Sequence, residues 1–281
     1  MRTRFDVIVH GDAGLSPPAP EAAQPQTARL RAAAETALAE IADAERRFNF
    51  YDPESWLSRI NREAAKAPVR VPPDVFELLQ LCQRVFRDSG GAFDPAVASA
   101  AAGKSDLAGT ELPTFAQVRL SPASRRVQFL HPCVKLDLGG VAKGWAIDLA
   151  VEALMEAGVT SALVHGGTSS IRAIGHAPGE SGWRINIGDQ ACVSLRDQAL
   201  GISHTFSGGG TTKDATCHII NPADGDVLRL PRLAAALCSG VGGGIQFAPH
   251  ASNSHATALT DAWSTALLLR HSEPFTWKHL T

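Results

Sequence analysis

Val134-Lys135-Leu136-Asp137-Leu138-Gly139-Gly140-Val141-Ala142-Lys143-Gly144 opens a stretch that runs on to Gly167, and its reading decides the fold. Over Val134 to Leu138, Val and two Leu alternate with Lys135 and Asp137, which is the pattern of a half-buried strand. Gly139-Gly140 ends that pattern. From Ala142, apolar residues recur at Trp145, Ala146, Leu149, Ala153 and Leu154 with helical spacing, and Gly158 closes the helix. A second strand, Ala162 to His165, runs into another glycine pair, Gly166-Gly167. A strand, a glycine turn, a helix with a lysine in its first turn and a second strand together make a place to hold phosphate. The N–H groups at a helix start are unpaired, and the helix dipole favours an anion there. A tight strand-to-helix connection with a solvated lysine fits the same residues equally well. The stretch matches neither GxxxxGK[ST] nor GxGxxG, so neither a nucleoside-triphosphatase nor a dinucleotide-fold reading is licensed.

Composition narrows the function classes. The chain has 281 residues, 44% hydrophobic and 19% charged, a length that allows one large domain with lobes or two associated ones. Its 26 basic and 28 acidic residues give a net charge of −2, which leaves no electrostatic footprint for nucleic acid. No apolar run reaches transmembrane length, so no membrane insertion is expected. Met1 to Asp6 lacks the charged start and apolar run of a secretory signal, and a cytoplasmic protein is the expectation. Cys82, Cys133, Cys192, Cys217 and Cys238 are odd in number and never spaced CxxC, so buried or reduced thiols are expected rather than zinc or disulfides.

Outward from the central stretch, Arg4 to His10 predicts an opening strand. Ser16 to Gln26 (SPPAPEAAQPQ) reads as a flexible proline-rich loop, and Thr27 to Phe48 as a helix on the stripe Leu30, Ala34, Ala37, Ile41, Ala44 and Phe48. Short helices are expected over Glu54 to Asn61 and from Pro72 to Ser89. A hairpin should pair Val118 to Leu120 with Arg126 to Leu130. Beyond the centre, Trp183 to Ile187, Ala199 to Ser203, Thr216 to Ile220 and Leu233 to Cys238 read as strands. Thr205 to Lys213 and Gly240 to Ser254 read as glycine-rich loops, Asn221 to Gly225 as a turn, and His255 to Leu269 as a final helix.

Three places carry polar residues that a purely structural element would not need. Asp148 lies five residues after Lys143 on the central helix and suits either a ribose or base contact or a surface position. Asp261 and Thr265, four apart on the last helix, share one face and offer hard oxygen ligands of the kind Mg²⁺ takes, although such a pair on a helix is often without function. His218 alternates with Cys217 and Ile219, which turns it toward a cleft as a proton acceptor or phosphate partner, or makes it a structural histidine.

The order of these pieces carries more than any one of them. Ser55-Trp-Leu-Ser-Arg-Ile-Asn61, Gly90-Gly-Ala-Phe-Asp94-Pro95, Asp137-Leu-Gly-Gly-Val-Ala-Lys-Gly-Trp-Ala-Ile-Asp148, Gly166-Gly167, His218-Ile-Ile-Asn-Pro222 and Asp261-Ala-Trp-Ser-Thr265 together resemble the FAD:protein FMN transferase (ApbE-type) family over nearly the whole chain. The resemblance implies an enzyme that uses FAD as substrate and Mg²⁺ as cofactor. It would move FMN onto a Thr or Ser hydroxyl of an acceptor flavoprotein and release AMP. It implies that Asp261, Thr265 and the Ala142 carbonyl hold the metal. Tyr51, Asp94, Gly139, Gly140, Lys143, Asp148, Gly166 and Gly167 would contact FAD, with Asp148 toward the adenosine half. Lys143 and His218 would serve the chemistry, His218 as base or phosphate-orienting group. An FAD pyrophosphatase on the same scaffold and a non-catalytic FAD-binding protein are the alternatives.

The chain departs from the family pattern at Ser203 to Gly210, at Thr168 and at Asn49, as fits a divergent subgroup with altered acceptor choice or weakened catalysis. The implied fold is α+β: one domain over residues 1–281, with a large mixed sheet, packed helices and a smaller second lobe. The Ala142-Lys143-Gly144 turn and the last helix must then meet in space.

Overall fold

A computed structural model describes residues 3–11, 20–97, 112–205, 219–228, 232–239, 255–271 and 275–280. Its framework is a six-stranded mixed sheet in the order β1 (Phe5–His10), β5 (Ser161–Gly166), β6 (Ser170–Ile174), β9 (Gln198–His204), β10 (Leu233–Ser239) and β11 (Phe275–Leu280). All neighbours are antiparallel except β10 and β11. On one face lie α4 (Ala142–Glu156) and α5 (Ala256–Arg270), with α1 (Pro20–Phe48) laid along α4. The hairpin β7 (Trp183–Ile187) and β8 (Ala191–Leu195) covers the other face, where Trp183, Ile187 and Leu195 pack on Leu163, Ile171, Leu200 and Ile202.

The described elements between Trp56 and Phe129 form a smaller lobe. A three-stranded sheet, β2 (Val69–Arg70), β4 (Arg126–Phe129) and β3 (Val118–Ser121), packs with α2 (Trp56–Glu63) and α3 (Pro73–Asp88). Local chemistry starts each helix. Ser55 caps α2 by accepting the Ser58 N–H at 3.0 Å, and α3 opens on Pro73 with Asp74 in its first turn. The α1 stripe is realised as Ala33, Ala37, Ile41, Ala44 and Phe48, all buried in a core that runs without a break from this lobe to α4.

Two sequence expectations are corrected. The loop expected over Ser16 to Gln26 is shortened, because α1 begins at Pro20 and carries Pro25 within its early turns. Pro20 takes the first helical position, where the N–H has no intrahelical partner, whereas Pro25 withholds one i→i−4 bond from the second turn. Val134 to Leu138 is not a strand. Its alternation is real, with Val134, Leu136 and Leu138 buried and Lys135 and Asp137 exposed, but no neighbouring strand pairs with it. Side-chain and loop groups replace the ladder. Asn61 Nδ2 donates to the Leu136 carbonyl at 2.9 Å, Asn61 Oδ1 accepts the Leu136 N–H at 2.8 Å, and the Asp137 N–H reaches the Pro95 carbonyl at 2.7 Å.

The strands β6, β8 and β11 were not expected, since Ser170, Arg172, Ser194 and Lys278 interrupt their apolar runs. Ile220 and Val227 close the Asn221 to Gly225 turn. The loops expected over 206–213 and 240–254, the strand start at 216–218 and most of Ala96 to Pro113 lie outside the described residues. No described helix is long and apolar enough to cross a membrane.

Replacing Asn61 with Ala leaves a backbone N–H and a carbonyl of the 134–138 segment without partners. Urea denaturation of Asn61→Ala should show a loss of about 3 kcal/mol at an unchanged m-value. A loss below about 1 kcal/mol would mean that the three buried side chains alone hold the segment.

Candidate active site

The chemistry of the site begins with two helices that lack caps of their own. Val141 before α4 and His255 before α5 make no side-chain cap hydrogen bond, so the first-turn N–H groups of both helices need acceptors from elsewhere. Each helix supplies the other. Asp261 Oδ2, on α5, accepts the Gly144 N–H of α4 at 2.8 Å. Asp148, on α4, accepts the Thr257 N–H on Oδ1 at 3.0 Å and the Ala258 N–H on Oδ2 at 2.8 Å. Each carboxylate stands one turn beyond the amides of its own helix that the partner caps. This exchange is possible only because the backbones touch, since a Cβ on Gly144 would overlap the Thr257 carbonyl. Gly201 on β9 gives the same closeness one turn further along α5, where a Cβ would overlap the Thr260 carbonyl.

Asp261 is nearly fully buried. Its second hydrogen bond, from Ser170 Oγ at 2.8 Å, also falls on Oδ2, so Oδ1 is the oxygen left for any further partner. Burial pushes its pKa up to about 7, against the pull of Lys143 and of the two hydrogen bonds. Asp148 is raised by burial too, and the Arg172 guanidinium opposes that rise. Beside Asp261, Ser203 Oγ, Ser264 Oγ and Thr265 Oγ1 form a hydroxyl cluster, with 2.7 Å from Ser203 to Ser264 and 3.2 Å from Ser203 to Thr265.

Ser203 and Thr265 face a cavity of about 440 Å³, within the usual size of a small-molecule site. Gly139, Gly140 and Lys143 line it from the start of α4, and Thr265 and Leu269 from α5. Phe93, Asp94 and Pro95 come from the loop after α3, Ser203, His204 and Thr205 from the end of β9, and Ile219, Ile220 and Pro222 from the turn beyond. Asp137 turns the chain into the glycine pair by accepting the Gly139 N–H on Oδ1 at 2.8 Å. Asp94 holds the opposite wall. It accepts Ala96 N–H at 2.7 Å and Phe115 N–H at 3.1 Å, and burial raises its pKa to about 6.

The sequence-predicted residues therefore divide. Gly139, Gly140, Lys143, Asp94 and Thr265 line one cavity; Asp261 and Ala142 are packed directly behind it. Asp148 is buried as the cap of α5, with its carboxylate accepting backbone N–H groups, and it does not line the cavity. Tyr51 stands away from the cavity lining, 90% exposed, with its ring edge-on to Phe50. Gly166 packs under the Phe5 ring, and the Gly167 N–H reaches the Arg4 carbonyl, so both serve the β1 junction. The cavity is reached instead at Ser169. His218 lies outside the described residues. Sequence reasoning missed Ser170 and Arg172. The signal was available, since two polar residues on one face of the short run SIRAI mark a strand face with polar partners.

Comparison with known proteins agrees with this architecture. A model of the ApbE family matches residues 1–232, which leaves α5 beyond the matched part. The FAD:protein FMN transferase of Chlamydia trachomatis is 25% identical over 236 residues, covering 79% of this chain and 71% of that protein. That of Treponema pallidum is 33% identical over 129 residues, covering 40% and 36%. Among solved structures, a histidine-to-glycine mutant of the flavin transferase ApbE from Vibrio cholerae superposes with a TM-score of 0.70 at 19% identity, covering 96% of this chain and 84% of that one. The apo flavinyl transferase ApbE of Pseudomonas stutzeri gives 0.66 at 21%, covering 95% and 84%. At those identities the structural likeness speaks for the fold, and it includes α5.

The raised pKa of Asp261 has a definite sign for stability. Between the ordinary aspartate pKa and about 7 the folded state holds a proton that the unfolded chain has lost, so stability is full in acid and falls as pH rises through about 7. Asp94 acts in the same direction around pH 6. In a chelator, Asp261→Asn keeps an oxygen for Gly144 and Ser170 but removes this loss. Its stability should fall less between pH 5 and 8 in urea melts, and at pH 8 exceed the parent by about 2 kcal/mol. Parallel profiles would mean that the carboxylate ionises in the fold without penalty.

Proposed function

The chain belongs to the ApbE family, and from that premise we propose that it transfers FMN from FAD to a Thr or Ser hydroxyl of an acceptor flavoprotein, in a Mg²⁺-dependent reaction that releases AMP. The observation that carries the proposal is the 2.8 Å bond from Gly144 N–H to Asp261 Oδ2. It ties the glycine turn, with its lysine, to the carboxylate and hydroxyls of the last helix across 117 residues of sequence, directly behind one cavity.

The residues present suit a hard divalent cation. Asp261 is a desolvated carboxylate with one oxygen uncommitted, and its raised pKa reports a negative charge that lacks a sufficient positive partner. Among the described residues no group of three His, Cys, Asp or Glu gathers here. An ion held by Asp261, Thr265 and the Ala142 carbonyl would therefore complete its shell with water and substrate oxygens, the habit of Mg²⁺. When bound, such an ion neutralises a pyrophosphate and stabilises the charge on the departing phosphate.

The chain's own residues do the rest. The start of α4 offers its dipole and Lys143 to the FAD pyrophosphate, and the lysine adds a fixed positive charge beside the phosphate that becomes AMP. The acceptor oxygen attacks the FMN phosphorus, the bond from that phosphorus to the oxygen of the AMP half breaks, and the hydroxyl proton leaves to a base. We assign that base to His218 from its place in the His218 to Pro222 motif, whose end, Ile219 to Pro222, borders the cavity. Phe93, Ile202 and Ile219 exclude water from one side.

Incubation of the protein with FAD, Mg²⁺ and a flavoprotein domain carrying a Thr/Ser flavinylation motif should leave one FMN on the domain by mass spectrometry, with one AMP released per label. Free FMN and AMP with an unlabelled domain would make the protein an FAD pyrophosphatase, and intact FAD would make it a binding protein. Asp261→Ala should lower the labelling rate at least about a hundredfold. Turnover at the parent rate in that variant would remove the metal assignment.

A further inference from the structure

The small sheet has an unusual charge. Residues 64–73 and 112–136, which build β2, β3, β4 and their flanks, contain Lys66, Arg70, Arg119, Arg125, Arg126 and Lys135 and no Asp or Glu, in a chain whose 26 basic residues are outnumbered by 28 acidic ones. The sheet sorts this charge to one side. Val69, Val118, Val127 and Phe129 point into the core, whereas Arg70, Arg119 and Arg126 are exposed on the outer face. Arg70 and Arg126 are direct register partners in adjacent antiparallel strands, an arrangement in which like charges oppose sheet formation. Of the exposed arginines elsewhere, Arg31, Arg46, Arg47, Arg59, Arg62 and Arg87 form ion pairs, whereas Arg84, Arg184, Arg196 and Arg270 form none among the described residues. Arg70, Arg119 and Arg126 pair with no described acidic residue. Folding is thus opposed by this face, and an external anionic partner would relieve it.

We propose that the outer face of the β2–β4–β3 sheet is the docking surface for an acidic patch on the acceptor protein. The inference rests on the transfer reading above, which requires a second protein to reach the cavity. The position suits that need. From the end of β4 the chain reaches Gly139, in the cavity wall, within ten residues, and β3 begins three residues after Phe115, whose N–H is held by the wall residue Asp94. Half-exposed Leu130 at the end of β4 adds an apolar contact beside the arginines, the mix that protein interfaces favour. A protein partner is favoured over single-stranded nucleic acid because the exposed ring pair, Phe50 and Tyr51, belongs to the α1–α2 connection and not to this face, which lacks the stacking platforms such binding uses.

The test uses the full chain and the double variant Arg70→Glu/Arg126→Glu, with Arg70→Gln/Arg126→Gln as a milder companion and thermal unfolding as the check that both fold. With the acceptor domain that takes the label, the KM for the domain should rise about tenfold or more in the Glu variant and less in the Gln variant. The KM for FAD should stay at the parent value. The parent's KM for the domain should also rise steeply with NaCl, and the variant's should not. In parallel, anisotropy of a fluorescein-labelled decaglutamate peptide should report binding to the parent at low salt and its loss in the Glu variant. An unchanged KM for the acceptor overturns the proposal even when transfer is intact. If no domain is ever labelled, the transfer reading fails by itself, and absence of decaglutamate binding then overturns the acidic-patch assignment independently. Loss of binding to phosphatidylglycerol-containing vesicles or to a DNA 20-mer, with the acceptor KM unmoved, would also overturn it and give the face to a membrane or to nucleic acid.

Discussion

The exchange of caps between α4 and α5 is the constraint on which the rest of the molecule depends. A helix start with unpaired N–H groups is ordinarily satisfied by its own Ser, Thr, Asp or Asn. Here neither helix has one, and the acceptors come from Asp148 and Asp261 on the opposite partner. Neither helix start can be formed in isolation with its amides satisfied. The pair is therefore specified together, with one relative rotation and one relative height, and everything that touches both inherits that geometry. The glycine turn, the hydroxyls of Ser203, Ser264 and Thr265 and the lysine of the first turn are positioned by this single decision.

Asp261 shows how structural and chemical duties can share one side chain. Its Oδ2 is a structural acceptor, and Oδ1 is the oxygen with chemical freedom. Burial sharpens the second role at the expense of the fold, because a desolvated carboxylate destabilises the protein unless a cation comes to it. Asp148 sits in comparable burial with a guanidinium, Arg172, in the same low-dielectric layer, and the Nε and Nη1 atoms of that guanidinium make no hydrogen bond. Of the two carboxylates, only Asp261 stands against the cavity floor.

How far the sequence was legible depended on whether the signal was local. The helices were, because Ala33, Ala37, Ile41, Ala44 and Phe48 in α1, and Trp145, Ala146 and Leu154 in α4, bury one stripe each. Alternation over Val134 to Leu138 correctly gave the buried face and misled on the pairing, since period two reports which side chains face inward and not what satisfies the backbone. The meeting of the Ala142 to Gly144 turn with α5 was readable only through the ordered motifs, and the Asp261 bond bears it out. Asp148 could not be sorted by sequence, because a carboxylate that caps a distant helix and one that faces a cavity look alike in one dimension. Ser170 was missed because its purpose is a partner 91 residues away.

The glycines at 144 and 201 both press on the first turns of α5, with no room for a methyl group at either contact. A helix gripped so closely cannot slide or roll to greet a ligand. The entropy of arranging Asp261, Ser264 and Thr265 is thus spent when the chain folds and is not charged again at each encounter. Adaptation to one substrate or another is left to segments outside that grip. Drift in sequence should accordingly be free around the rim of the cavity and nearly forbidden along its floor, so that relatives of this protein would differ in what they accept long before they differ in what they do.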